Sequence, residues 1–223
     1  MGTKIKLTKQ QMKEDKFTTF MLQTRDWIQE NWQIIAIAVA AVIVIAVGAA
    51  YYSSLRSGQA DEAADRFAEA IGKYRQQNYQ VAILDFNSIA EDYSGPVAAS
   101  AVFYAANSYF ESKNYDEAII NYQKYIDRYH IDEITTSSAI AGIAACYEVK
   151  QEFQKAAEKY LEAVGLYPGQ AGEPDYLLGA VRNYVNAGMA AEAQQTLDKL
   201  DKDYAGTNQQ RVATQLAMKL KIE

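Results

Sequence analysis

The chain has 223 residues, and the 171 that follow its first 52 are enough for one core burying about two-thirds of its surface. A single cysteine, Cys146, excludes an internal disulfide and a cysteine-cluster metal site. The formal charge of −6 is split: residues 1–33 carry six bases against four acids, and the rest 16 bases against 24 acids, a surplus of carboxylates that repels nucleic acid.

Residues 1–16 are polar and lysine-dominated (Lys4, Lys6, Lys9, Lys13, Lys16) without hydrophobic periodicity, and read as a basic tail near anionic headgroups. Lys6 occupies the position where a myristoylation signal needs Ser or Thr. In 17–31, Phe17, Phe20, Met21, Thr24, Trp27 and Ile28 recur at spacings of three and four, which puts them on one helical face. Such an amphipathic juxtamembrane segment lies in the interface, docks on another membrane protein, or extends the anchor helix.

From Ile34 to Ala50 there is no charged or strongly polar side chain. Lengthened by Trp32, Tyr51 and Tyr52, this run predicts a transmembrane helix over 32–52, since about twenty helical residues cross a hydrocarbon core of about 30 Å. Aromatic side chains gather at membrane interfaces, so Phe17, Phe20, Met21, Trp27, Ile28, Trp32, Tyr51 and Tyr52 are the candidate membrane-interface residues. Val47-Gly48-Ala49 loosely resembles a cleavage site, but the long preceding tail favours a retained signal anchor. Six bases precede the run and only Arg56 follows closely, predicting a cytoplasmic N-terminus and an extracytoplasmic remainder. A polar linker, 53–59, suits a hinge or a continuous helix.

Everything beyond has helical periodicity, and Pro96, Pro168 and Pro174 fall where the apolar period breaks. The segments beginning at Asn78, Asn114 and Glu152, and more weakly at Gly188, repeat one another. Their small residues Ala82, Ala118, Ala156 and Ala193 are each followed four positions later by a large one: Phe86, Tyr122, Tyr160 and Leu197. Ala106 and Tyr109, Ala144 and Tyr147, and Val181 and Tyr184 occupy a second common register before them. This pattern resembles the tetratricopeptide repeat, in which small residues let two helices approach and an aromatic fills the space toward the next hairpin. Lys73 in the first unit departs from the expected Tyr, and the consensus tryptophan is absent. The resemblance implies an all-α chain: one N-terminal transmembrane helix, then an α-solenoid of about four helical hairpins (60–94, 96–130, 134–168, 174–206) and a capping helix over 207–223. In that cap Val212, Leu216 and Leu220 stand four apart, with Ala213 and Ala217 beside them.

No catalytic, cofactor-binding or metal-binding constellation is evident. His130 lies at a helix end, where its charge suits the dipole. Cys146 reads as a small buried hydrophobe. The acidic groups Asp61-Glu62-Asp65-Glu69 and Glu91-Asp92 lack metal-loop spacing and suit solvated faces. What remains is a surface. The repeat resemblance implies a concave protein-binding groove lined by Phe67, Tyr74, Ser100, Phe103, Tyr104, Asn107, Phe110, Glu148, Leu178, Arg182 and Asn186, joined by Ser138 and Ala141. Of the residues that clamp a C-terminal carboxylate in the family only Asn107 is matched, so a groove for an extended or helical apolar segment fits better. The alternative is that these aromatics pack against the next hairpin or against the linker.

The whole arrangement is similar to the YfgM-type ancillary subunits of the bacterial protein translocon. That resemblance implies an inner-membrane, single-pass protein with a periplasmic repeat domain. It also implies protein partners, such as a translocon, exported chains or chaperones; the span adds membrane lipid, and neither a small-molecule substrate nor nucleic acid is expected. The expected function is a non-enzymatic membrane-tethered adaptor that assists export; a structural accessory subunit of a large membrane complex is the alternative.

Overall fold

A computed structural model describes residues 9–219, except the side chains of 9–19, 26, 50, 52–57 and 219. The described chain is helical and divides into two compact units, residues 1–60 and 61–223.

Helix α1 (Lys9–Arg75) supplies the described part of the first unit. Its stretch Trp27–Ala49 is 23 residues long, or about 35 Å of helix. None of that stretch is buried, so it is not the core helix of a soluble fold; its length and composition suit a membrane anchor or a signal sequence. From Ala36 through Val47 every side chain is exposed, and Ile35 is half-buried. Two of the polar side chains near its start turn inward on their own helix: Thr24 Oγ1 donates to the Phe20 carbonyl at 2.7 Å and Asn31 Nδ2 to the Trp27 carbonyl at 2.9 Å. Residues 53–59 are helical as well.

In the second unit, four antiparallel hairpins follow one another. The end of α1 (from Asp61) pairs with α2 (Tyr79–Asp92), α3 (Pro96–Glu111) with α4 (Tyr115–Arg128), α5 (Glu133–Val149) with α6 (Phe153–Leu166), and α7 (Glu173–Asn186) with α8 (Ala190–Asp203). Helix α9 (Asn208–Lys219) closes the solenoid against α7 and α8. The four register alanines, Ala82, Ala118, Ala156 and Ala193, are buried at the crossings, and Phe86, Tyr122, Tyr160 and Leu197 are buried four residues on. Each helix touches mainly its neighbours in sequence, so the core is a row of overlapping clusters rather than one centre.

The turns inside the hairpins share one geometry. Gln77, Lys113, Gln151 and Gly188 take φ of 62°, 65°, 61° and 72°. The next residue's N–H then reaches back to the carbonyls of Lys73, Tyr109, Tyr147 and Tyr184 at 2.8–3.0 Å. This is the Schellman closure of a helix, in which a left-handed residue directs the following amide onto the last orphan carbonyls. Pro96 and Pro174 lie in the first turns of α3 and α7, where a missing N–H costs nothing. Lys73, the departure from the repeat pattern, is accommodated by ion pairs to Asp85 at 2.7 Å and Glu69 at 2.9 Å. In α9 it is Ala213 and Ala217 that are buried, with Val212 and Leu216 half-buried at the margin; small residues let the closing helix lie close on α7. Leu220 lies outside the described residues.

Candidate protein-binding groove

The groove positions come from the first helix of each hairpin, and the structure divides them into two neighbourhoods. In the N-terminal half, α1 and α3 bring four of them into one aromatic cluster. Tyr104 stands at its centre, its ring 5.7 Å from Phe67, 5.8 Å from Tyr74 and 5.9 Å from Phe103, all edge to face, and stacked on Phe86 at 5.7 Å. Phe103 also meets Tyr122 and Tyr125 of α4 at 5.9 and 5.6 Å. Edge-to-face pairs place the positive rim of one ring on the negative face of another, so the cluster is cohesive beyond its buried area. All four side chains nevertheless keep part of their surface accessible. Asn107 accepts a hydrogen bond from the Tyr122 hydroxyl at 2.6 Å, and Phe110 belongs to a separate pair with Tyr115 at 5.5 Å. Ser100 is half-buried on α3.

In the C-terminal half small residues face the tyrosines of the neighbouring helices. Tyr122 lies against Gly142, and Tyr160 against Gly179: a Cβ at Gly142 would meet three Tyr122 ring carbons at 2.5–2.9 Å, and one at Gly179 would meet Tyr160 at 2.9–3.0 Å. Ser138 Oγ donates to the Ile134 carbonyl at 2.7 Å and lies 3.3 Å from the Tyr176 hydroxyl, while Ala141 is buried. Leu178 is half-buried on α7, and Asn186 is exposed at that helix's C-terminal end.

Two charged candidates, Glu148 and Arg182, form an ion pair in this half. Arg182 donates through Nε to Glu148 Oε1 at 2.6 Å and through Nη2 to Oε2 at 2.8 Å. Glu148 Oε2 also accepts from Asn183 Nδ2 at 2.9 Å and from the Tyr160 hydroxyl at 3.2 Å. One carboxylate thereby ties α5 to α6 and α7. Burial pushes the Glu148 carboxyl up, but the hydrogen bonds from Arg182 and Asn183 and the Arg182 charge outweigh it, leaving the group below its ordinary range. The same bond raises the Arg182 guanidinium, and burial followed by the Glu148 charge raises the Tyr160 phenol. The candidate positions are therefore aromatic in one half and carry an internally neutralised charge pair in the other.

The structure adds residues that the repeat pattern left out. Asn183 occupies the same register as Ser108 and Cys146, and all three are fully buried; Asn183 also donates to the Gly179 carbonyl at 2.8 Å, and its Oδ1 has no partner. Tyr93, Tyr129, Tyr167 and Tyr204 cap the second helix of each hairpin, at spacings of 36, 38 and 37 residues that repeat those of the alanines. That spacing was readable in the chain. Gly142 and Gly179 carried a weaker signal, because a helical glycine has meaning only once the ring above it is known.

Of the interface candidates, Phe20, Met21, Trp27, Ile28, Trp32 and Tyr51 are exposed on α1, and the side chains of Phe17 and Tyr52 lie outside the described set. Burial pushes the Cys146 thiol up to about 12, which keeps it protonated and unreactive at neutral pH. His130 places Nδ1 3.1 Å from the Ile126 carbonyl at the end of α4.

The sequence matches the tetratricopeptide repeat-like domain over residues 25–165, which is most of the chain and includes the apolar stretch of α1. The chain belongs to the tetratricopeptide repeat-like family. Among solved structures, this repeat-like chain is similar to a tetratricopeptide repeat protein from Parabacteroides merdae ATCC 43184, with 14% identity and a TM-score of 0.60. That match covers 71% of this chain and spans 60% of the other's length. A putative kinesin light chain with nearly identical TPR-like repeats, from Podosopora anserina, matches at 12% identity and a TM-score of 0.54, over 71% of this chain and 84% of that one. Identities this low carry the fold alone. No curated protein matches the chain.

Proposed function

We propose that this chain is a membrane-tethered scaffold whose concave groove holds a protein segment outside the cytoplasm. The repeat fold is one that typically serves protein interaction without catalysis. The observation that carries the reading is the presence in one chain of the unburied apolar stretch Trp27–Ala49 and a repeat solenoid with partly accessible aromatics on its first-helix faces. Tethering turns weak groove contacts into effective ones by raising their local concentration. Phe67, Tyr74, Phe103, Tyr104 and Phe110 supply an apolar track, while Ser100, Asn107, Leu178, Arg182 and Asn186 extend it with polar and aliphatic contacts; Glu148 holds Arg182 in place. On α1, the exposed aromatics support seating at a lipid interface, and the preceding lysines support a cytoplasmic N-terminus in a bacterial inner membrane.

The architectural resemblance to YfgM-type translocon subunits supports a role beside the export channel, with exported chains or their chaperones as occupants. Photo-cross-linkers at the Phe103 and Arg182 positions, activated in intact membranes, test it: adducts with a channel component or an exported chain are expected, and recovery of no protein adduct refutes the scaffold reading. The mutual packing of Tyr104 with Phe67, Tyr74 and Phe103 favours a second reading, a structural accessory subunit whose face fills a fixed interface. A constant one-to-one stoichiometry in a purified complex decides for it.

A further inference from the structure

Outside α1, Leu84, Ile120, Val149 and Met218 are exposed singly on separate elements, whereas three further large apolar side chains fall at one end of a single hairpin. Ile131 and Ile134, in the loop before α5 and its first turn, are 49% and 66% exposed, and Leu166, the last residue of α6, is 56% exposed. Helices α5 and α6 run antiparallel, so these residues share one end of a single hairpin. Gln170 of the following loop donates to Glu133 Oε2 at 3.0 Å, which holds the loops at this end together.

Four carboxylates around this end lack a basic partner. Asp127, Asp132, Glu133 and Asp175 are satisfied by neutral donors only: Gln123 Nε2, the Thr135 amide, Gln170 Nε2 and Gln209 Nε2, at 2.7–3.0 Å. None of the four has an ion-pair partner among the described residues; of the bases near this end, Lys199 is engaged by Glu173, while Arg128 stands next to Asp127 in the chain. At the opposite end of the same hairpin the charges are matched, Lys150 pairing with Asp116 and Glu152, and Lys155 with Glu152. Neutral donors satisfy a carboxylate's geometry and leave its charge uncompensated. An apolar patch rimmed by uncompensated carboxylates is complementary to a segment that presents apolar side chains beside lysine or arginine. The same carboxylates disfavour an anionic lipid surface.

We propose that the Ile131–Ile134–Leu166 end of the α5–α6 hairpin, which adjoins the groove at Ser138, is a second docking surface for a basic amphipathic polypeptide segment. The test uses the full chain in nanodiscs of zwitterionic lipid. Ile131→Cys carries an environment-sensitive dye, and buried Cys146 does not compete for it. The probe is a short synthetic amphipathic helix of leucine and lysine, with a leucine–glutamate counterpart. The lysine peptide should shift the dye emission and bind more weakly as salt rises. Its affinity should fall about tenfold or more in the Ile134→Ser, Leu166→Ser double variant, whose altered side chains are exposed and leave the core intact. Equal binding of the glutamate peptide overturns the proposal, as does undiminished binding by the double variant. So does loss of binding through Arg182→Ala instead, or a dye response to anionic vesicles in place of the peptide.

Discussion

Replacing Gly142 by alanine sets two well-measured effects against each other. In an isolated helix the change gains about 1 kcal/mol, because alanine loses less backbone entropy. Here the new Cβ would stand 2.5–2.9 Å from three carbons of the Tyr122 ring, closer than atoms pack without displacement. The ring has little room to yield. It is buried, meets Phe103 at 5.9 Å, and donates its hydroxyl to Asn107 at 2.6 Å. Overpacking of this kind costs about 1–3 kcal/mol. Displacing the ring also weakens a hydrogen bond with a net value of about 0.5–1.5 kcal/mol. The net expectation is a loss of about 1–3 kcal/mol, which for a domain of this size lowers the melting midpoint by roughly 3–10 °C. Gly72, also within a helix, has nothing within 4 Å of its would-be Cβ, so Gly72→Ala should raise the midpoint through propensity alone. Thermal unfolding of both variants, followed by circular dichroism on the detergent-solubilised full chain, compares them directly. A Gly142→Ala midpoint at or above that of the parent would refute the reasoning.

Gln151→Gly should stabilise the chain by about 0.5–1 kcal/mol in chemical denaturation, since Gln151 holds φ 61° where glycine has no steric penalty; an unchanged midpoint would remove the strain argument. Ala156→Leu should cost about 1–3 kcal/mol, because the crossing it occupies is closed around a buried methyl group. Glu148 and Glu173 both sit below the ordinary carboxyl value in the folded chain: for each, burial pushes upward and is outweighed, by Arg182 and Asn183 in one case and by Lys199 and the Gly169 amide in the other. A depressed carboxyl stabilises fully above its unfolded value near 4.5 and loses that contribution as pH falls through the folded value. The melting midpoint should therefore drop on acidification below about pH 4.5, with a shallower drop in Glu148→Gln. Cys146 should resist alkylation in the folded chain and react once denaturant is added; rapid native labelling would contradict its burial.

The repeat register was legible because it is enforced at every hairpin. A helix crossing admits only a small residue, and Ala82, Ala118, Ala156 and Ala193 announce that demand at regular spacing. The apolar run of α1 was equally open to reading, since a stretch long enough to cross a bilayer and free of charge needs no partner to be recognised. These features depend on local geometry, and local geometry is written in periodicity.

Pairings between repeats were not legible in the same way. Lys73 appeared as a broken position until Asp85 and Glu69 were seen beside it. Glu148 and Arg182 stood as two separate groove residues, 34 positions apart, until the solenoid closed them into one pair with Asn183 and Tyr160 around it. The aromatic positions of α1 and α3 were named individually, but their cohesion around Tyr104 follows from how one hairpin leans on the next. The sequence by itself determined which residues lie at helix crossings and which stretch can meet lipid, because each is a property of one helix and its spacing. Tertiary structure alone decided which charges are neutralised and which carboxylates are left without a base, because that depends on the distance between side chains whose separation along the chain says nothing of their separation in space.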